Sequence, residues 1–90
     1  MYKRNNEFVL RQIGGEYILI PTGKAVSRVS GMITVSETSA FVWDLLAEEK
    51  TLEELISATT DTYEVPAPTA EADIRQLLAK LSTLGMLVMG

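Results

Sequence analysis

Ninety residues with 47% apolar content make a single small domain over residues 1–90, too hydrophobic to stay disordered and near the lower size limit for folding alone. The chain has no histidine and no cysteine, which excludes disulfides, thiolate metal ligands, a cysteine nucleophile, and the commonest general base and zinc ligand. The net charge of −4 is unevenly placed: residues 1–35 carry five bases against two acids, whereas residues 36–90 carry ten acids against Lys50, Arg75 and Lys80.

The polar start, Met1 to Glu7, holds no signal-peptide apolar core, and no apolar run approaches a membrane span. The cytoplasm is the expected location, with no membrane partner. A core this small leaves room for stabilisation by a partner or a homodimer contact.

The first third predicts strands. Phe8–Ile13 and Tyr17–Ile20 are rich in β-branched and aromatic residues, and Gly14-Gly15 between them is the two-residue signal of a tight hairpin. Pro21 cannot donate to a ladder and closes the second strand, and Thr22-Gly23 begins a turn. Met32-Ile33-Thr34-Val35 gives a third short strand, with an earlier start through Val26 and Val29 left open.

The remainder predicts three helices. Ser36 is a good N-cap with Glu37 in the first turn, and the following Ala40–Ala47 run is apolar nearly all round, as in a helix buried on two sides. Trp43 is expected in the core of that helix. Thr51-Leu52-Glu53-Glu54 is a capping box that opens a second helix carrying Leu52, Leu55, Ile56 and Tyr63. Pro66-Ala67-Pro68 reads as a chain break, with Thr69 capping the third helix. In that helix Ile74, Leu77, Leu78, Leu81 and Leu84 form an amphipathic stripe that Gly85 terminates. Met86–Met89 is too short for a helix and either pairs as a strand or covers the core. A three-stranded antiparallel sheet followed by three helices is an α+β domain of winged helix-turn-helix type.

Catalytic constellations are nearly absent. Serine and threonine lack the usual activating histidine, and Lys24, Lys50 and Lys80 have no motif around them. Glu48-Glu49 and Glu53-Glu54 point to different sides of a helix and make poor acid/base or metal pairs. Gly14-Gly15 joins two strands and lacks the lysine of a phosphate-binding loop. Winged helices often bind DNA, but the third helix sets Arg75 and Lys80 against Glu71 and Asp73, and the second has no basic residue, so nucleic acid is not the expected partner. A transcription-regulator-like, DNA-binding winged helix stands as the alternative, resting on the basic N-terminal arm. The two backbone-level features that remain are an open sheet edge and the leucine-rich helix; if they lie side by side, they form a groove suited to strand addition.

Phe8-Val9-Leu10-Arg11, Glu16–Pro21, and above all the strand-to-helix segment from Ile33 through Ser36-Glu37-Thr38-Ser39 to the Trp43-bearing helix resemble the PqqD family. So does the tail, from Asp73-Ile74 through Leu77-Leu78, Leu81 and Leu84-Gly85 to Met86-Leu87. The resemblance covers about residues 8–88. Ser39 stands where many relatives have glycine, and Ser36 where many have asparagine; both residues still open a helix.

The resemblance implies coenzyme PQQ synthesis protein D and its relatives, the RiPP precursor peptide recognition elements. These are peptide chaperones without catalytic residues or cofactors, which bind the leader of a ribosomally made precursor and deliver it to a modifying enzyme, often a radical SAM protein. By position, the implied site is Met32, Ile33, Thr34 and Val35, with Ile74, Arg75, Leu78 and Lys80 or Leu81 opposite. Which side-chain parity of the strand faces the groove stays open, as does the product, PQQ or another modified peptide.

Overall fold

A computed structural model describes residues 1–23 and 32–89. Among these residues the chain forms β1 (Tyr2–Arg4), β2 (Phe8–Ile13), β3 (Glu16–Pro21), β4 (Ile33–Val35), α1 (Glu37–Leu45), α2 (Leu52–Thr62), α3 (Ala67–Thr83) and β5 (Leu87–Met89). β2, β3 and β4 make an antiparallel three-stranded sheet in that order, and β1 pairs antiparallel with β5. The α+β class and the order of sheet, then helices, agree with the sequence reading. An earlier start of the third strand through Val26 and Val29 lies outside the described residues.

Ile13 pairs with Glu16, so Gly14 and Gly15 are the whole loop of the β2–β3 hairpin. Gly14 takes φ +63° and Gly15 does not share the positive φ, the pattern of a type II′ turn, whose twist matches that of the strands it joins. Leu19 sits between Leu10 and Ile33 across the sheet, and this row faces the helices, with Leu19 fully buried. The alternate row, Arg11–Ile18–Thr34, points to the other face, as the period of two requires.

Each helix starts on its own chemistry. The Ser36 hydroxyl accepts from the Ser39 amide at 3.1 Å. The Thr51 hydroxyl accepts from the Glu54 amide at 3.1 Å, while the Glu54 carboxylate accepts from the Thr51 amide at 2.8 Å, completing the capping box. That amide bond, opposed by partial burial and aided by the Thr51 hydroxyl and Lys50, holds the Glu54 carboxyl below its ordinary value. The predicted start of the third helix is corrected: α3 begins at Ala67, with Pro66 as N-cap and no side-chain cap, so Thr69 lies inside it. A proline within the first turn loses nothing, because the amide it lacks has no intrahelical acceptor there. At the other end Gly85 takes φ +72°, and the Met86 and Gly85 amides donate to the Leu81 and Ser82 carbonyls at 2.8 and 3.1 Å. This is a Schellman closure, and it turns Met86 fully into the core.

The core gathers Val42 and Trp43 from α1, Leu46 at its C-cap, Leu55 from α2, Ile74, Leu78 and Leu81 from α3, and Phe8 and Leu19 from the sheet. Trp43 is 1% exposed, as its place in an all-round apolar helix predicts. Tyr63, just past α2, meets Phe41 edge to face with ring centres 5.4 Å apart. Burial, and then Glu37, raises its phenol above the ordinary value.

The strand β1 is not foreseen in the sequence. Its Tyr2 exchanges hydrogen bonds with Lys50 at 2.8 and 2.9 Å, and the Arg4 amide donates to the Leu46 carbonyl at 2.8 Å, while its other edge pairs with β5. The tail therefore does both things left open for it: Met86 fills the core and Leu87–Met89 pairs as a strand. Arg4 from β1 lies over the Trp43 ring at 5.8 Å and approaches Asp44 at 3.8 Å.

Candidate functional site

β4 is three residues long and pairs with β3 along one edge only; among the described residues no strand covers the other edge. An uncovered edge presents backbone donors and acceptors to any extended chain that approaches. Ser36 ends the strand by turning the backbone into α1 as its N-cap, so the first turn of α1 follows directly on this edge. α3 runs alongside.

Between them lies a cleft of about 450 Å³, lined from β4 and the start of α1 by Thr34, Val35, Ser36, Thr38, Ser39 and Val42. From α3 it is lined by Asp73, Ile74, Gln76, Leu77 and Lys80. No β3 residue lines it, which puts the cleft on the uncovered side of β4. Val42 and Ile74, both buried, make an apolar floor together with half-buried Val35 and Leu77. Exposed Thr34, Ser36, Asp73, Gln76 and Lys80 supply the polar rim. A backbone edge, an apolar floor and a polar rim are what a short extended peptide needs: the edge pairs its main chain and the floor takes alternate side chains.

The structure divides the residues implied by the resemblance. Thr34, Val35, Ile74 and Lys80 line the cleft. Ile33 packs on the core beside it, and Met32, 62% exposed, stands just before β4 without lining it. Ile33 and Val35 therefore share the helix-facing parity, paired with Leu19 and Tyr17. Arg75 lies elsewhere: it is paired with Glu71 at 2.9 Å and borders a separate hollow of about 250 Å³ with Tyr2, Leu52, Leu78, Ala79 and Ser82. Leu78 and Leu81 are core, 5% and 0% exposed.

A helix advances about 100° per residue, so Arg75 and Leu78 turn away from the stripe that Asp73, Leu77 and Lys80 make at i, i+4 and i+7. Sequence reasoning missed Asp73, Gln76 and Leu77, and also Ser36, Thr38, Ser39 and Val42 on the α1 side, as lining residues. The available signal for α3 was the polar border of the leucine stripe.

Among the described residues no group of three or more acidic side chains is arranged to hold a metal ion, and no helix is long and apolar enough to cross a membrane.

Comparison with known proteins places the chain. It is similar to TbiB1, solved in complex with the TbiA(beta) leader peptide: 27% identity, TM-score 0.72, over 94% of this chain and 93% of that one. It also shares its fold with lasso peptide synthetase B1 complexed with the leader peptide, at 22% identity and TM-score 0.74, over 98% of each chain. None of the curated proteins compared matches it. The family profile of coenzyme PQQ synthesis protein D matches residues 9–87, nearly the whole sequence, and the chain therefore belongs to the PqqD family.

Proposed function

We propose that this protein is a peptide chaperone. It binds the leader of a ribosomally synthesised precursor by strand addition to β4 and presents it to a peptide-modifying enzyme. The observation that carries this reading is the cleft itself, in which the uncovered edge of β4 faces the 73–80 stripe of α3 across an apolar floor. The likeness to TbiB1, a leader-peptide complex matched over nearly the full length, supports it.

Backbone pairing along Ile33–Val35 supplies affinity, and the floor of Val35, Val42, Ile74 and Leu77 selects apolar side chains on alternate peptide positions. Ordering a flexible leader costs about 2–5 kcal/mol of the gross interaction energy, which makes micromolar affinity the natural range. The domain contributes binding rather than catalysis. The chemistry belongs to the partner, a radical SAM or other modifying enzyme in PQQ or related peptide maturation, acting in the cytoplasm.

The test is an NMR titration of the labelled protein with a precursor leader peptide. Amide shifts are expected at 33–39 and 73–80. Shifts confined to the β2–β3 hairpin or α2, with 33–35 unmoved, would show this reading to be wrong.

A further inference from the structure

The charges of α3 fall into two groups. Arg75 is neutralised by Glu71 one turn earlier, at 2.9 Å, on the side away from the cleft. Asp73 and Lys80, both exposed and both lining the cleft, have no ion pair among the described residues. Seven helical steps separate them, about 10.5 Å along the axis, too far for them to neutralise each other. Half-buried Leu77 and the buried Ile74 sit between them on the same wall. Along α3 the wall thus runs acid, apolar, base.

An added strand shows every second side chain to this wall, at intervals of about 6.8 Å. Three such positions span about 13.6 Å, and the flexible lysine stem takes up the difference from the helix spacing. Resting on the strand-addition reading above, we infer that the cleft selects its peptide by charge order. The sequence it takes has a basic residue, an apolar residue and an acidic residue on alternate positions, with the base over Asp73, the apolar side chain over Ile74 and Leu77, and the acid over Lys80. Pairing with β4 in a single direction, antiparallel being the more stable arrangement, presents one end of the peptide to Asp73 and the other to Lys80.

Two synthetic nine-residue peptides test this, one centred on Lys-Thr-Leu-Thr-Glu and the other on Glu-Thr-Leu-Thr-Lys, with identical threonine- and valine-rich flanks. Their composition is the same, so only charge order differs. One order is expected to bind about fivefold more tightly at low salt, from two solvent-exposed pairs, with the difference lost at about 1 M salt. The protein carrying both Asp73→Lys and Lys80→Asp, changes at exposed positions, should invert the preference. An inverted preference cannot come from a folding defect.

Equal binding of the two peptides, or a preference that the double variant leaves unchanged, overturns the charge-order inference while shifts at 33–35 keep the strand-addition reading. Failure of both peptides to shift the cleft also overturns the inference, and the leader titration then decides the strand-addition reading separately.

Discussion

Truncating Leu77 and Leu78 one at a time to alanine separates the cleft from the core. The two residues are chain neighbours of identical chemistry, but Leu78 is 5% exposed and packed in the core cluster, whereas Leu77 is half-buried on the cleft wall. Leu78→Ala removes packing from the core cluster, on its side toward the hollow beside Tyr2 and Leu52, and such changes cost about 2–5 kcal/mol. A domain of this size is stable by roughly 5–13 kcal/mol, so a substantial share of the total is at stake. Leu77→Ala opens no closed cavity, since its outer side already faces the cleft. Half of a leucine transfer energy, about 1 kcal/mol, is the expected loss.

For binding the order reverses. Leu77→Ala removes a wall contact and should weaken leader affinity about fivefold, near 1 kcal/mol, whereas Leu78→Ala, measured where it is still folded, should bind nearly as the parent does. Urea unfolding followed through the single tryptophan reads stability, and calorimetric titration with the leader reads affinity. Equal destabilisation by the two changes, or unchanged affinity in Leu77→Ala, would refute the assignment of these residues to wall and core.

Trp43→Ala should cost about 3–5 kcal/mol, because the ring is 1% exposed beneath the Arg4 guanidinium; a thermal melt like the parent's would place the ring outside the core. Glu54, whose folded carboxyl lies below the ordinary 4.5, adds stability that is fully present above that value and is lost as pH falls through the folded one. Glu54→Gln keeps an acceptor for the Thr51 amide, so its urea midpoint should fall less between pH 7 and about pH 3 than the parent's; an equal fall would count against the capping carboxylate. Duplex DNA should bind weakly at most, since residues 36–90 carry ten acids against three bases; salt-steep, sub-micromolar anisotropy changes would contradict that electrostatic reasoning.

What the sequence reveals of this fold is what local chemistry encodes. Gly14-Gly15, the Ser36 cap, the Thr51–Glu54 box and the Gly85 stop act within a few residues, and each stands where the sequence puts it. β1 has no such local marker. Tyr2-Lys3-Arg4 becomes a strand only because Leu87–Met89 arrives alongside from the far end of the chain and Lys50 from the other side. Proline at 68 reads as a break in the sequence but is none in the fold, because its effect depends on position: it disrupts a helix interior but not a first turn.

The site shows the same division. The strand Ile33–Val35 and its open edge are legible, but the stripe on α3 has two neighbours, core and cleft. Periodicity finds an apolar face without telling how much of it the core consumes. Leu78 and Leu81 went to the core, and the cleft was left with its border residues, Asp73, Gln76, Leu77 and Lys80.

The shortness of β4 has a kinetic meaning. Three residues allow only a few ladder hydrogen bonds, so a peptide held there cannot be held for long. With association near 10⁶ M⁻¹s⁻¹, micromolar affinity corresponds to a dwell of about one second. A carrier that must hand its cargo to an enzyme and return for another gains from such a grip, because a longer edge would turn delivery into storage. The same brevity gives a neighbouring copy of the protein little to zip onto, which keeps an uncovered strand compatible with a dispersed carrier.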